Sequence, residues 1–288
     1  MKTKKIQNKN TFRFFNYKWK KVPTWAKDTD KRYIDWYLKR YGYKNKKNFA
    51  KFLKNKKNIL EAGCGLARDS RLFATLNNRA NIFACDQSLI ALKQAKKDLK
   101  KFKNIQFFQQ DITKKFQIKT KFDFISADQV LHHTPDPGKT LKNLFSNLNR
   151  SGYLNFFVCK KKNIYRDFID DYIMDHFRNK SAKELWDFAV DVTRFAKSLH
   201  DLGIKNVTFK KKKYKNLQLF IHYNSFRFWY DPKLKFDLCV SSNYDWFSNN
   251  PRYDLFDLKK YLQKNLKNYK IIRKYEDDAS VSMIIKKI

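Results

Sequence analysis

One ten-residue stretch decides the fold of this chain: Ile59-Leu60-Glu61-Ala62-Gly63-Cys64-Gly65-Leu66-Ala67-Arg68. A short apolar run leads into two glycines, and a segment with helical character follows. A sharp turn from a strand into a helix needs positive φ, and a missing side chain lets backbone N–H groups approach a ligand closely. A Gly-x-Gly turn by itself is just as typical of an ordinary tight turn, so its meaning depends on the flanking sequence.

The sequence around this stretch alternates between strand and helix patterns. Short apolar runs predict strands at 58–62, 80–85, 105–110, 122–127 and 153–159, with helices predicted at 68–76, 89–99 and 139–149. Such alternation is typical of β-α-β units and a parallel sheet. Near the end, two runs at 269–275 and 280–285 are too close together to pair in any way but antiparallel. We therefore predict an α/β Rossmann-like sheet of seven strands, mostly parallel with an antiparallel last strand, and helices on both faces.

Three further parts surround this core. We predict an N-terminal helical cap at 1–55, although the first 27 residues, rich in basic and aromatic side chains, show no clean helical period. The core at 56–160 is followed by an insertion at 161–266, which we read as a substrate lid with amphipathic helices at 164–178 and 182–202 and a helix at 254–265. A closing hairpin at 267–288 completes the predicted sheet.

Acidic residues stand where an open α/β sheet places its ligand contacts, at the carboxyl ends of strands. Asp86 closes the second predicted strand, Asp111 the third, and Asp128 follows the fourth, while Glu61 lies just before the glycines. A short acid after the second strand suits the two hydroxyls of a ribose, and one after the third suits the exocyclic amine of an adenine. Each of these acids taken alone is equally typical of a helix cap. Acids at the ends of successive strands, taken together, indicate a nucleoside site.

Together these residues resemble the motifs of class I S-adenosylmethionine-dependent methyltransferases. The resemblance covers about residues 57–160 and rests on the glycine stretch quoted above, Ala84-Cys85-Asp86-Gln87-Ser88, Gln110-Asp111-Ile112 and the segment from Phe122 to Pro137. That last segment has the form common among small-molecule methyltransferases. A weaker likeness, in the aromatic N-terminus and the tract 244–253, is to a bacterial subgroup whose members mostly lack assigned substrates.

The resemblance implies S-adenosyl-L-methionine as the cofactor and S-adenosyl-L-homocysteine as the product. It places Gly63 and Gly65 against the methionine part of the cofactor. Glu61 would support the loop, with contact to the methionine amino group as a further role, while Asp86 would bind the ribose and Asp111 the adenine amine. The remaining cofactor contacts that it implies are Gln87, Ile112 and Asp128. Two positions depart from the family pattern: Ala67 replaces a third glycine and tolerates positive φ less well, and polar Gln87 stands where an apolar side chain often covers the adenine.

Three residues after the fourth strand are candidates for catalysis. His132 and His133 lie near the expected position of the methyl group, and an imidazole titrates near neutrality, so either is a candidate general base. The alternative is that the pair shapes the loop and packs against the next helix. Asp128 is the third candidate for a catalytic role, and its alternative role is contact with the cofactor. The Asn/Asp-Pro-Pro-aromatic motif of nucleobase N-methylases is absent here.

The sequence leaves several classes of methyl acceptor open. The sequence favours an S-adenosylmethionine-dependent methyltransferase that acts by SN2 displacement on a small or carrier-linked metabolite. The alternatives are an RNA methyltransferase that uses a basic surface and a non-catalytic nucleic-acid-binding protein on the same scaffold. A dinucleotide-binding Rossmann domain fits less well, because Arg68 stands where its last glycine belongs.

The net charge, the cysteines and the absence of long apolar runs indicate which partners, disulfides, metals and location we expect. The formal net charge is +37, which points to a polyanion partner, but lysine far outnumbers arginine and is spread along the chain, as a bias toward AT-rich codons would produce. The four cysteines lie far apart, and the acids at 167–175 suit a solvated helix face, so we predict no disulfide and no metal. No secretory signal and no apolar run long enough for a bilayer is present, so we expect a cytoplasmic protein with no membrane span.

Overall fold

A computed structural model describes residues 2–248 and 251–288, with side chains from residue 11 onward. Its strands are β1 (Asn58–Ala62), β2 (Asn81–Asp86), β3 (Ile105–Gln109), β4 (Phe122–Ala127), β5 (Leu148–Cys159), β6 (Lys205–Phe209), β7 (Lys212–Asn216), β8 (Tyr269–Glu276) and β9 (Ser280–Lys287). Its helices are α1 (Lys2–Lys21), α2 (Trp25–Asp28), α3 (Asp30–Tyr41), α4 (Lys46–Leu53), α5 (Arg68–Leu76), α6 (Leu89–Asp98), α7 (Pro137–Ser146), α8 (Ile164–Phe177), α9 (Ala182–Asp201), α10 (Leu217–Asn224), α11 (Phe236–Phe247) and α12 (Leu255–Asn265), with a 3₁₀ turn at Leu131–His133.

The chain forms two compact units. The larger one, the sheet unit, comprises Pro23–Lys160 and Pro251–Ile288, and the smaller one, the helical unit, comprises Met1–Val22 and Lys161–Asn250. This division differs from the predicted domain boundaries, because α1 packs on α9 and α11 while α12 packs on α7 of the sheet unit. The first turns of the chain thus group with the insertion instead of with α2–α4.

The sheet unit confirms the predicted fold class. Its seven strands run in the order β3-β2-β1-β4-β5-β9-β8, and β9 is antiparallel to both of its neighbours. Central positions such as Ile59 and Leu60 are fully buried, because helices cover the sheet on both faces. The parallel registers pair Ala62 with Cys85 and Glu61 with Ser126. The carboxyl ends of β1, β2 and β4 therefore meet at one edge, which is where the predicted ligand contacts come together.

Some element limits differ from the prediction. The helix expected at 139–149 ends at Ser146, and β5 begins at Leu148 instead of residue 153. Leu148 already pairs with Phe122, and the register then shifts before Phe124. Ser151 takes a positive φ of 63° within this early part of the strand. An irregular strand start of this kind lacks the period-2 pattern on which the prediction depended.

The helical unit contains the two helices predicted at 164–178 and 182–202. α9 opens with a capping box, in which Glu184 N–H donates to the Ser181 hydroxyl at 3.1 Å and Ser181 N–H donates to Glu184 Oε2 at 2.8 Å. The buried rings of Trp186 and Tyr244 meet at 5.3 Å between α9 and α11. Helix α1 lies within the predicted helical cap at 1–55, whereas the hairpin β6–β7 and the helices α10 and α11 were not predicted as separate elements. Within the described ranges, no helix is long and apolar enough to cross a membrane.

Candidate active site

The turn after β1 has the strained backbone that its glycines permit. Gly63 and Gly65 take φ values of 72° and 51°. The N–H groups of Gly63 and Cys64 both donate to the Cys85 carbonyl at 2.8 Å. Ala67, in the place of a third glycine, also has positive φ, 56°, directly before α5. The turn is thus bonded to the end of β2, and its third positive-φ position carries the steric cost expected from the sequence.

Asp86 holds this turn from the end of β2. Its Oδ2 accepts from Gly65 N–H at 2.8 Å and its Oδ1 accepts from Ser88 N–H at 2.8 Å. Burial raises the pKa of Asp86, against the lowering effect of these backbone donors. The side chain remains half-buried. An ionised carboxylate has about four acceptor positions, so two backbone bonds leave capacity for a pair of hydroxyl donors.

Glu61, at the end of β1, bonds the first turn of α5, which follows the glycine turn. Its Oε2 accepts from Ser70 N–H at 2.7 Å and from the Ser70 hydroxyl. The carboxyl group is buried, and its burial, with the neighbouring Asp69, raises the pKa of Glu61 well above its ordinary value. Ser70 lies in the first turn of α5, so Glu61 fixes that helix against β1.

The residues expected to contact the adenine lie at the ends of β2 and β3. Asp111 Oδ1 accepts from Thr113 N–H at 3.0 Å and from the Thr113 hydroxyl at 2.6 Å, so Asp111 caps its own turn. Ile112 is buried within the core on one face of the sheet. Gln87 is half-buried, and its carbonyl accepts from the Gln109 side chain at 3.0 Å. These three residues thus surround the ends of β2 and β3.

Asp128 is the centre of a buried ion-pair cluster. Its Oδ1 lies 3.2 Å from Arg40 Nη1 and accepts from the Tyr41 hydroxyl at 2.8 Å. Its Oδ2 lies 3.3 Å from Arg68 Nη2 and accepts from Gln129 Nε2 at 3.1 Å. The side chains of Asp128 and Arg40 are at most 1% exposed. The carboxylate therefore ties α3, the start of α5 and the end of β4 together.

The histidine pair lies in the 3₁₀ turn after β4. His132 is buried, and its ring packs at 4.0 Å from His133 and at 5.4 Å from Phe157. Burial lowers the pKa of His132 to about 4. An imidazole with this pKa is neutral at pH 7 and is a weak base. His133 is the more exposed of the two, so it is better placed to meet another molecule.

Half-buried aromatic side chains from α2 and α3 extend this site. Trp25 and Tyr33 lie 4.9 Å apart, and the Arg68 guanidinium lies over both rings, at 5.7 and 5.1 Å. Trp36 stacks on Arg40 at 3.6 Å and meets Phe157 at 5.5 Å. None of these residues was predicted to belong to the site. Trp36 and Tyr41 stand at a helical spacing in the sequence, but the packing of α3 on Asp128 and Phe157 depends on tertiary structure.

The cofactor implied by the sequence fits this geometry. The turn offers backbone at two glycine positions, and Asp86 retains acceptor capacity at the adjoining strand end. Among the described residues, no group of three or more histidine, cysteine or acidic side chains is arranged to hold a metal ion.

Comparison with known proteins identifies the domain. Residues 53–184 match a family model described as a methyltransferase domain. This domain is similar to those of the class I S-adenosylmethionine-dependent methyltransferase family. S-adenosylmethionine is the cofactor of that family, and the methyltransferase domain includes the glycine turn and all the strand-end acids described above.

Two curated proteins match about a third of this chain. One is an uncharacterized protein of Synechococcus sp., 36% identical over 103 residues, which are 35% of this chain and 25% of that protein. The other is a malonyl-[acyl-carrier protein] O-methyltransferase of Bacillus anthracis, 30% identical over 100 residues, which are 34% of this chain and 36% of that protein. The chain thus spans between a quarter and about a third of the length of these relatives.

Two solved structures align with most of this chain, and the first of them shares its fold. PKMT2 of Rickettsia typhi, determined in complex with AdoHcy, aligns with a TM-score of 0.54 at 14% identity, over 85% of this chain and 53% of that one. A SAM-dependent methyltransferase of Aquifex aeolicus aligns with a TM-score of 0.47 at 13% identity, over 87% of this chain and 92% of that one. At this identity the likeness concerns the fold.

Proposed function

We propose that this protein transfers a methyl group from S-adenosylmethionine to a small or carrier-linked metabolite. The observation that carries the proposal is the Gly63–Gly65 turn, which Asp86 fixes at the shared carboxyl edge of β1 and β2. When bound there, the cofactor supplies an electrophilic methyl group on a sulfonium. The protein residues have to align the acceptor with that group and exclude water.

The cofactor contacts follow from the surroundings of each acid. Asp86 would accept from the ribose hydroxyls, Asp111 would accept from the adenine amine, and Ile112 and Gln87 would flank the ring. Glu61 positions the turn through Ser70 instead of contacting the ligand. These assignments rest on the hydrogen-bond partners described above and on the resemblance to the family.

Asp128 is better suited to positioning than to proton transfer. Its two oxygens already face two guanidinium groups and two neutral donors, so taking a proton would leave two buried cations without their partner. His132 is neutral and enclosed. We therefore assign contact with the acceptor to His133 and to the half-buried aromatic residues of α2 and α3.

One observation favours a methyl acceptor that is linked to a carrier protein. The relative from Bacillus anthracis, which matches over 100 residues, is named for O-methylation of a malonyl group on an acyl-carrier protein. A thioester-linked acceptor of that kind would present a carboxylate oxygen, which needs alignment and no strong base.

Isothermal titration with S-adenosylmethionine tests the proposal. We expect wild-type protein to bind, and Asp86→Asn to weaken binding roughly 10- to 100-fold, because hydrogen bonds to a charged acceptor contribute about 1.5–3 kcal/mol. Asp123→Asn is the matched control, since Asp123 bonds the backbone of Lys57 and Asn58 at the opposite edge of the sheet. No binding by wild-type protein, or equal binding by Asp86→Asn, would remove the basis of the proposal.

The acceptor is then sought with labelled S-adenosylmethionine and metabolite extracts. Label in a low-molecular-weight or carrier fraction, lost in Asp86→Asn, supports the proposed substrate class. Label confined to RNA would replace it with the RNA methyltransferase alternative.

A further inference from the structure

The hairpin β6–β7 concentrates the positive charge of the helical unit at one exposed element. Residues 202–230 contain no aspartate or glutamate, and six lysines fall within residues 205–215, at Lys205, Lys210, Lys211, Lys212, Lys213 and Lys215. All six are exposed. On the neighbouring helix α9, by contrast, lysines pair with acids one turn away, as Lys183 does with Asp187 at 2.6 Å. The hairpin has no acid of its own with which to form such pairs.

The tip of this hairpin has an unfavourable backbone for the residues it carries. Phe209 pairs with Lys212, so Lys210 and Lys211 form a two-residue loop, and both have positive φ, 46° and 64°. Two-residue loops of this kind favour asparagine and glycine, which adopt positive φ readily. Asparagine is common elsewhere in this chain and has equally AT-rich codons. Codon bias therefore does not account for two lysines at these positions. Residues with strained backbone angles of this kind cluster at functional sites.

The two faces of the hairpin differ in chemistry. Phe209 and Tyr214 turn toward α10, where each meets the ring of Phe220, at 5.6 and 5.5 Å. Thr208 and Lys213 pair on the opposite face, and Lys215 follows two residues later on the same side. The outward face is thus polar and cationic, and the apolar side chains lie on the face toward α10, where Tyr214 is buried and Phe209 remains 43% exposed.

We infer that the β6–β7 hairpin is a docking surface for the phosphate backbone of a nucleic acid. A row of ammonium groups along a narrow ribbon is complementary to a chain of regularly spaced phosphates, and hydroxyl side chains contact phosphate and sugar oxygens. The outward face lacks the apolar side chains that anchor a protein in a bilayer surface. The hairpin has no arginine, and lysine acts on phosphate as a point charge, so binding is expected to show little sequence preference.

The test is fluorescence anisotropy of a labelled 30-nucleotide single-stranded RNA with the full chain. The hairpin variant carries Lys210→Asn, Lys211→Asn, Lys213→Gln and Lys215→Gln, which removes four charges. It leaves Lys212 in place, because its ammonium group lies over the Tyr214 ring at 5.5 Å. The control variant removes four exposed charges from the other unit, by Lys96→Gln, Lys97→Gln, Lys100→Gln and Lys101→Gln. Unchanged far-UV circular dichroism and unchanged S-adenosylmethionine binding confirm that both variants are folded.

The expected result is at least a tenfold loss of RNA affinity at 50 mM salt for the hairpin variant, and less than about threefold for the control. The slope of log affinity against log salt should become shallower by about 3 for the hairpin variant, since each of four phosphates contributes about 0.7 on a single strand. Equal losses in the two variants would overturn the inference in favour of diffuse charge. So would absence of RNA binding by wild-type protein, with or without binding to vesicles that contain phosphatidylserine.

Discussion

Replacement of Gly63 by alanine tests the most constrained position of the cofactor turn. Gly63 has a φ of 72°, and its N–H donates to the Cys85 carbonyl at 2.8 Å. A Cβ atom at this position would lie 2.3 Å from Val130 Cγ2 and 2.9 Å from Val130 Cβ. Val130 follows β4, so the collision would push the glycine turn away from the neighbouring strand end.

Two costs add up in Gly63→Ala. A non-glycine residue in the left-handed region costs roughly 1–2 kcal/mol, and an extra carbon in a filled space costs about 1–3 kcal/mol. We therefore expect the free energy of unfolding to fall by about 2–5 kcal/mol, a large share of the stability of a typical domain. The steric part of this cost has one identified source, the Cγ2 and Cβ atoms of Val130.

A double-mutant cycle separates the two costs. Val130→Ala removes the atom that makes the shortest contact and keeps the Cβ atom at 2.9 Å, so in the double variant Gly63→Ala should cost about 1–3 kcal/mol. The expected coupling is 1–3 kcal/mol in the direction of rescue, measured by urea unfolding followed by far-UV circular dichroism. Additive losses, or a Gly63→Ala variant as stable as wild type, would show that the turn is not packed against Val130 in this way.

Three further changes probe the surroundings of the site. Asp128→Asn should lower the free energy of unfolding by about 3–5 kcal/mol, because it leaves the buried guanidinium groups of Arg40 and Arg68 without this carboxylate; a change below 1 kcal/mol in urea unfolding would contradict the cluster. Burial lowers the pKa of His132 to about 4 against about 6.5 when unfolded, so the unfolded state binds more protons between these values and stability falls as the pH drops from 6.5 to 4. His132→Phe should lose that part of the pH dependence, and urea midpoints at pH 4.5 and 7.5 that shift as in wild type would count against it. Ala67→Val, a branched side chain at a φ of 56°, should lower the thermal midpoint while Ala67→Gly leaves it nearly unchanged.

The sequence was sufficient for the sheet because its strands and helices follow from local patterns. The runs at 58–62 and 122–127 coincide with β1 and β4, and the glycine turn between β1 and α5 lies where the positive-φ requirement placed it. Even the strain at Ala67 followed from residue type, since alanine at a family glycine position keeps the backbone that glycine would have. Each of these features is decided within about ten residues of chain.

Features that depend on partners distant in the chain were not predicted. Arg40 precedes Asp128 by 88 residues, and no local pattern indicates that an arginine of an amphipathic helix will be buried against a strand-end acid. The hairpin β6–β7 was missed for a related reason. Its lysines resemble a solvated loop, and the alternation of Val207, Phe209 and Tyr214 becomes visible only once the register across the turn is known.

The three strand-end aspartates show why residue type and position do not suffice to assign a role. Asp86 accepts from the backbone of the glycine turn and stays half-buried, so it is both fixed and accessible to a ligand. Asp111 is held by its own turn through Thr113. Asp128 is enclosed by two arginines and connects three elements of the fold. The order of the strands brings the acids to one edge, but the donors around each one decide whether it serves a ligand or the protein itself, and those donors come from helices that the strand pattern does not describe.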